Sequence, residues 1–599
     1  ATVKAGDLIR MGVVRITLRQ ARQPASAEVV PAALVIGGGL AGMTSALVLA
    51  NAGLPVKLVE RGAALGGMLR ELNVLYPGRR NAAKLLAEKV EAVTHHPQIE
   101  VLLESQVVSV SGTVGRYTVS VCGPHRRPED PVTFDLGAII VATGVHTLEP
   151  WGLFRYDGRR VLTQIEFERE LRDGQEGARP ASPPANVVMI LCAGQRNEAL
   201  PYCSGVCCLG ALTQAIEVKA ADPQANVTIL FRDLYLLGEG LYEEELTQAR
   251  RAGVRFVRYT PSSPPVVAED AVEVRDELSA AHCRLPYDRV VLATPLIPQP
   301  DAGVLARMLN IAQDENGFFP AVRCRLRPQD CAERGIYTCG GAHYPAGWME
   351  AEFQAASAAF KAVRHLRAGR VVNQAPVAVV DETACTGCGN CVQSCPFGAI
   401  SMHRRAGILD LSQIDPLLCK GCGNCVVTCP VKAISVPLDG DGQMFAQIEA
   451  ALANAREDGR PRILAFGCEW SGHAAAELAG ANKLGYPAEA RLIRMRCSAR
   501  LDPTHILWAF FSGADGVFLG ACPPGDCHYI NGNRYAQERI NTLRGLLAEK
   551  GFDPRRLCLE WITPDDPHDF VNKITRFTEL VRALGPNPAW QPRQKRRDC

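Results

Sequence analysis

No run in this 599-residue chain is apolar for long enough to cross a bilayer; the most tempting stretch, His505 to Leu519, is short and carries Asp515. Residues 1–30 hold Arg10, Arg15, Arg19 and Arg22 but no apolar core closed by a cleavage site, so they read as a basic arm and not as a signal peptide. Excess charge is missing as well: 65 basic against 63 acidic residues leave +2, which exerts no global pull on nucleic acid. Glycine and proline are modest and without period, which excludes collagen-like and low-complexity chains. There is no Gly-x-Ser-x-Gly elbow, no phosphate-binding P-loop and no paired-carboxylate signature, so hydrolase readings lack support. The 47% of hydrophobic residues excludes disorder, and the length predicts three to four domains.

What the chain has in excess is cysteine, 23 in all. A secreted disulfide protein would be short, with its cysteines spread over loops. Here they are bunched, many at two-residue gaps, which predicts thiols kept reduced in the cytoplasm and used as metal ligands.

The coarse organisation is a multidomain α/β chain. A basic arm with one short helix (1–30) precedes a first nucleotide-type domain (31–150). A second α/β domain (151–300) reads as inserted in the first, which resumes over 301–372; residues 174–185 look like a linker. An internal repeat marks 373–437, and after a linker at Asp439–Gly442 a further α/β pattern fills 438–585. The basic, proline-rich tail 586–599 is expected to fray.

Ala33-Leu34-Val35-Ile36, a glycine turn, an alanine-rich helix and the strand Pro55–Val59 closing on Glu60 form a βαβ unit. Within it stands Gly37-x-Gly39-x-x-Gly42. The first glycine permits the turn, the second admits a pyrophosphate, and the third lets helix and strand pack. The helix N-terminus offers N–H groups to phosphate, and Glu60 is placed to accept ribose hydroxyls. Arg61 to Gly67, with Gly66 and Gly67, resembles the run after the second strand of two-dinucleotide-domain flavoproteins. Ala142-Thr143-Gly144 resembles their second signature, and both favour FAD over NAD. At Gly340-Gly341 such flavoproteins often have Gly-Asp; this chain has no Asp there.

Cys-x2-Cys-x2-Cys-x3-Cys-Pro occurs twice, the bacterial ferredoxin pattern, in which each run lends its fourth cysteine to the other cluster. One set is then Cys385, Cys388, Cys391 and Cys429, and the other Cys419, Cys422, Cys425 and Cys395. Cys192, Cys203, Cys207 and Cys208 fall where the inserted domain would begin its nucleotide turn, which lacks the glycine triplet. By spacing alone a cluster site and buried thiols or a disulfide stand equal. Cys468, Cys497, Cys522 and Cys527 form a last group, for which a zinc site or scattered core cysteines are equal alternatives. Cysteines 122, 283, 324, 331, 339, 558 and 599 lack ligand spacing, and the histidines do not cluster.

These residues together resemble the A-type subunits of heterodisulfide reductase, fused to the delta subunit of methyl-viologen-reducing hydrogenase. The stretch Leu34–Ala46, the Cys192–Cys208 block with Pro201-Tyr202-Cys203-Ser204 and the ferredoxin repeats carry the first resemblance. Met495-Arg-Cys-Ser-Ala-Arg500 and Gly525-Asp-Cys-His-Tyr529 carry the second. Subunits of the quinone-interacting membrane-bound oxidoreductase are similar. The resemblance implies a thioredoxin-reductase-like flavoprotein core, a bacterial-ferredoxin domain and a C-terminal [2Fe–2S] domain. It implies FAD, three [4Fe–4S] clusters, the third on the Cys192 set, and one [2Fe–2S] cluster on the last four cysteines. Two departures stand out: the family's N-terminal cluster domain is not seen, and Leu75-Tyr-Pro-Gly-Arg-Arg-Asn holds no cysteine where a Cys-x-x-Cys insert is common.

The implied function is an oxidoreductase component that splits or merges electrons at FAD among the [2Fe–2S] domain, the Cys192 cluster and the ferredoxin pair. The alternatives are a linear electron relay and an NAD(P)H-dependent flavoprotein, the latter opposed by the broken glycine turn at Cys192. Implied partners are heterodisulfide-reductase-like subunits, a hydrogenase or formate dehydrogenase docked on the delta-like domain, and ferredoxin. The expected assembly is hetero-oligomeric, without nucleic acid or a transmembrane segment; dimerisation and peripheral membrane association stay open.

Overall fold

A computed structural model describes residues 2–18, 25–123, 131–175, 184–236, 241–321, 328–331, 335–373, 376–405, 409–437, 439–454 and 460–589. Arg19 and Arg22 of the arm, the centre of the 174–185 linker, Cys324, Cys599 and the tail from 590 lie outside these residues. The chain divides into two compact units, Ala27–Val371 and Ala1–Ser26 with Val372–Cys599.

The first unit contains two five-stranded parallel sheets. In one the order is Ile336–Thr338, Ala138–Val141, Ala33–Ile36, Val56–Val59 and Ile99–Leu102. Ala33–Ile36 and Ala138–Val141 are buried along their whole length, as strands of a parallel sheet covered on both faces must be. In the other sheet the order is Val161–Thr163, Arg289–Leu292, Asn186–Ile190, Asn226–Phe231 and Arg255–Arg258. The chain leaves the first sheet after Ala138–Val141, builds the second, and returns as Ile336–Thr338. Val145–Thr147 and Leu296–Pro298 pair antiparallel where the path goes out and comes back.

The stretch Val74–Asn81, which carries no cysteine, is a small hairpin of Val74–Leu75 on Arg80–Asn81. Behind it lies a carboxylate network. Glu168 accepts from Asn73 N at 2.9 Å and from Gln214 Nε2 at 2.7 Å. Glu217 faces Tyr76 Oη and Asn73 Nδ2 at 3.5 Å each. Burial, then the nearby Glu168 charge, pushes the Glu217 carboxyl up to about 7.

The second unit has a four-stranded parallel sheet in the order Ala490–Met495, Ile463–Cys468, Gly516–Ala521 and Leu557–Trp561. The ferredoxin-type segment contributes the hairpin Ile400–Arg405 with Leu409–Ile414 and the short helices Asn390–Ser394 and Asn424–Thr428.

Two expectations are corrected here. The N-terminal helix is not short: it runs Thr2–Thr17 and packs along Asp441–Ala451. Met11 joins the apolar cluster of Met444 and Ile448, and Asp7, 1% exposed, bonds Arg491 Nε at 2.7 Å, Asn454 Nδ2 at 2.5 Å and Arg10. Nor is Asp439–Gly442 a linker. Gly440 caps the helix Asp441–Ala451, Asp439 is buried and receives Arg15 at 2.8 Å, and Asp441 receives Arg500 at 2.6 Å. Arginines distant in sequence turn an apparently loose acidic stretch into a fixed helix start.

Asp7→Ala removes a buried anion and strands Arg491, so a loss of about 3 kcal/mol is expected in denaturant unfolding of the full chain. Glu217→Gln behaves differently with pH. The raised carboxyl makes its contribution to stability present below its unfolded pKa and lost as pH climbs to about 7. The glutamine variant should match the parent at pH 4 and gain on the order of 1–2 kcal/mol at pH 8 in thermal melts, after discounting for solvent screening.

Candidate functional site

The first unit holds a cavity of about 770 Å³ at the carboxyl ends of the Ala33–Ile36 and Val56–Val59 strands. Gly37, Gly39, Glu60, Gly66, Gly67, Thr143, Gly144 and Gly341 line it. Gly42 and Gly340 stand just behind the wall. A Cβ on Gly42 would lie 1.8 Å from Gly37 O, and one on Gly340 2.8 Å from Ala41 Cβ. Gly39 differs, since a Cβ there would meet no atom within 4 Å. It caps the helix Leu40–Asn51 without any side-chain bond, leaving the helix N–H groups directed at open space. Glu60 accepts from Gly38 N at 2.6 Å and Gly62 N at 2.7 Å, which fixes the turn around it.

In place of the aspartate absent at Gly340-Gly341, the start of the helix Trp348–Arg367 reaches the cavity through Ala346, Trp348 and Ala351, and Gln354 Oε1 accepts from Gly340 N at 2.9 Å. Two residues that sequence reasoning passed over, His146 and Trp348, line the cavity, and each has a buried ring nitrogen without a hydrogen-bond partner among the described residues. Burial, then the Arg61 charge, holds the His146 imidazole below its usual range, so it stays neutral. An open phosphate cradle, a ribose-height carboxylate and two unpaired ring nitrogens fit a dinucleotide.

The second sheet repeats the strand–turn–helix plan without the cradle. After Asn186–Ile190 the turn places Cys192 at φ +59° and Arg196 at φ +55°, and the helix starts only at Cys207. Cys192, Cys207 and Cys208 are buried, and Cys203 is half-buried. Cys207 and Cys208 open the helix Cys207–Ala221, whose N-terminal dipole favours thiolates. Gln195 Nε2 lies 3.2 Å from Cys207 Sγ, and Gly205 N donates to Cys203 Sγ at 3.4 Å. A hydrogen bond shared with Cys208, then burial, pushes Cys207 up while Cys208 moves down. Four cysteines, two of them with amide donors to sulfur, thus stand between strand and helix where the first sheet has its glycine turn.

In the ferredoxin segment each repeat folds alike. Gly389 and Gly423, at φ +75° and +80°, cap the two short helices. A Cβ on Gly387 would lie 2.2 Å from Asp410 O, and one on Gly421 2.3 Å from Pro376 O. Ser412 Oγ stands 3.0 Å from Cys391 Sγ and 3.8 Å from Cys385 Sγ. Cys419, Cys422 and Cys425 share their surroundings with Cys395, while Cys388 is exposed.

The last four cysteines lie at the carboxyl ends of parallel strands. Cys468 ends Ile463–Cys468, Cys497 follows Ala490–Met495, and Cys522 follows Gly516–Ala521. Cys468 Sγ and Cys522 Sγ are 3.7 Å apart. Hydrogen bonds from their neighbours move Cys468 and Cys527 toward thiolate, and Cys497 and Cys522 keep their protons. Gly532 is a residue that no motif announced: a Cβ there would lie 2.3 Å from Cys497 Sγ and 3.5 Å from Cys527 Sγ. Trp470 stacks on His528 at 3.5 Å and donates to Tyr529 Oη at 3.1 Å, closing the site from outside.

Cys422 packs against this group, in one cluster with Cys497, Cys527, Trp470 and Tyr529. Among the described residues no three His, Cys, Asp or Glu side chains close on a single metal-ion position. Of the cysteines without ligand spacing, Cys331 and Cys339 are buried, and Cys122, Cys283 and Cys558 are partly so. No described helix is long and apolar enough to cross a membrane.

Three family descriptions match the chain: "Pyridine nucleotide-disulphide oxidoreductase" over residues 31–355, "4Fe-4S dicluster domain" over 384–433 and "Methyl-viologen-reducing hydrogenase, delta subunit" over 463–585. The A-type subunit of the ferredoxin:CoB-CoM heterodisulfide reductase of Methanosarcina mazei is 32% identical, covering 98% of this chain and 84% of that protein. The first of two A-type iron-sulfur subunits of the CoB–CoM heterodisulfide reductase of Methanopyrus kandleri is 32% identical over 76% of this chain and 82% of its own length. Among solved structures, thioredoxin reductase from T. acidophilum aligns at 18% identity with a TM-score of 0.39, covering 56% of this chain and 97% of that one.

With the C-terminal cysteines read as ligands, Gly532→Ala is expected to push Cys497 aside and abolish their metal uptake. Iron analysis after anaerobic reconstitution checks this. Gly480→Ala, whose Cβ would meet nothing within 4 Å, is the control and should retain all its iron.

Proposed function

The chain belongs to the family of heterodisulfide reductase A-type subunits, and from that premise we propose that it is the FAD- and iron–sulfur-bearing electron-transfer component of a heterodisulfide-reductase-like complex, dividing or merging electron pairs at FAD. The observation that carries this reading is the turn at Cys192. A chain built to take hydride from a nicotinamide would keep a glycine cradle there; this one has four cysteines and a helix that starts late.

FAD, when bound, exchanges electrons in pairs or singly, whereas a cluster passes one at a time. The protein's own part is placement. Gly39 and the N-terminus of Leu40–Asn51 would take the pyrophosphate and Glu60 the ribose, while Gly66, Gly67, Thr143, Gly144 and Gly341 shape the wall. In this reading Cys192, Cys203, Cys207 and Cys208 hold a [4Fe–4S] cluster, the two ferredoxin sets hold one each, and Cys468, Cys497, Cys522 and Cys527 hold a [2Fe–2S] cluster. Amide donors to sulfur, such as Ala378 N on Cys419 at 3.5 Å and Ala433 N on Cys429 at 3.3 Å, tune the potentials. The packing of Cys422 on Cys497 and Cys527 supports a direct step between the C-terminal site and the ferredoxin pair.

The delta-like domain is the proposed docking point for a hydrogenase or formate dehydrogenase. The exposed Cys388 end is the proposed contact for a heterodisulfide-reductase-like partner or a soluble ferredoxin. A linear relay is the second reading. It draws on the Val74–Asn81 hairpin, which is backed by Glu168 and Glu217 and holds no sulfur where the family commonly has a further cluster.

An anaerobic redox titration of the flavin, followed optically and by EPR, separates the two. Pair-splitting predicts that both electrons leave in a single two-electron wave. Two resolved one-electron waves spread over a wide potential range would establish the relay.

A further inference from the structure

The helix Gly532–Glu549 carries two residues seven apart, and therefore on one face: Gly532, behind the C-terminal cysteines, and Arg539. The Arg539 guanidinium spans the junction just described. Its Nη1 donates to Ala499 O at 2.6 Å, two residues beyond Cys497. Its Nη2 donates to Asn424 Oδ1 at 2.7 Å and Thr428 Oγ1 at 3.0 Å. Asn424 lies between Cys422 and Cys425, is 2% exposed, and passes the contact on by donating to Ser394 O at 2.9 Å, beside Cys395. One planar fork thus grips the loops that carry ligands of two sites.

The charge on that fork is the second observation. All three of its acceptors are neutral, and no carboxylate among the described residues pairs with Arg539. Asp502 and Glu538 stand within its field, but Asp502 is already bonded to Lys432 and the exposed Glu538 pairs with Arg534. A half-buried cation without a counter-ion of its own is costly unless nearby charge offsets it. The Cys497 sulfur also lies within its field, and thiolate-ligated clusters on either side would supply the missing negative charge. On its other side is the Tyr535 ring, 5.7 Å away.

We propose that Arg539 is a positioning residue that locks the ferredoxin site of Cys395, Cys419, Cys422 and Cys425 against the C-terminal cysteine site and raises the midpoint potentials of the clusters held at both. The inference rests on the reading of the C-terminal cysteines as a cluster site.

The test uses the full chain, reconstituted anaerobically, as the parent, Arg539→Gln and Arg539→Lys. Iron content and circular dichroism serve as folding controls, and EPR-monitored redox titration is the readout. In Arg539→Gln the ratio of reduced to oxidised cluster at fixed potential should fall about tenfold at both sites, about 59 mV for a one-electron couple. The magnetic broadening between the two reduced clusters should also weaken. Arg539→Lys keeps the charge and loses the fork, so its midpoints should stay near the parent's while the broadening still weakens. Unchanged midpoints or unchanged broadening in Arg539→Gln overturns the proposal; should that variant not fold, unchanged broadening in Arg539→Lys overturns it. A parent lacking any C-terminal cluster signal removes the underlying reading, and this inference with it. A parent with both signals and unresponsive variants removes the inference alone.

Discussion

Thiolates and phosphates share one demand: a dry place where backbone N–H groups point at the anion. Backbone can approach that closely only where no Cβ intervenes, and this chain meets the condition with glycine at the cavity, in the ferredoxin loops and beside the C-terminal cysteines. Gly42 lets its helix settle 1.8 Å, measured from an imagined Cβ, from Gly37 O, and so brings a bare helix N-terminus to the cavity. Gly387 and Gly421 let the two ferredoxin loops press on Asp410 O and Pro376 O. Gly532 gives up its Cβ to the sulfur of Cys497. A methyl group at any of these positions would displace the backbone or the sulfur, and the ligand geometry would fail before the fold did.

That rule explains which parts of the site can be read from the sequence. The two ferredoxin runs are legible because ligands and glycines lie within a dozen residues, so the repeat carries its own geometry. The Gly37–Glu60 unit is legible for the same reason: strand, turn, helix and acid follow one another. Gly532 and Arg539 are silent because their partners, Cys497 and Asn424, lie 35 and 115 residues away in the chain. His146 and Trp348 are silent because cavity lining has no period. The N-terminal helix is misjudged because its inward face is thin, with Met11 supplying apolar contact and Asp7 its anchor through Arg491. A buried aspartate on a basic segment looks like solvent-facing charge until its arginine is found on a strand near residue 491.

The two sheets of the first unit share a plan and diverge at one turn. Both present a parallel strand leading to a helix, the arrangement that places anions at helix N-termini. In the first sheet the turn is short, and no side chain caps the helix N–H groups. In the second the turn is lengthened by the Cys192–Val206 loop, which draws on left-handed backbone at Cys192, Gly194, Arg196 and Gly205. Strain of this kind persists only where surrounding structure holds it, and here the sulfur contacts of Gln195 and Gly205 do so. In the proposed reading, cysteines in place of the glycine cradle exchange a site for a two-electron carrier for one suited to single electrons.

The two ends of the ferredoxin segment in the second unit are unequal in exposure. One set ends at the exposed Cys388, next to Gly389 and open to water. The other set presses Cys422 into the aromatic group of Tyr529 and Trp470, beside Cys497 and Cys527, and burial pushes its thiol up to about 12. Removing water from that end strengthens every charge near it, whereas a charge at the wet end is screened. In the proposed reading, a sealed junction at one end and an accessible sulfur at the other suit a wire joined permanently within its own chain and transiently to its partner.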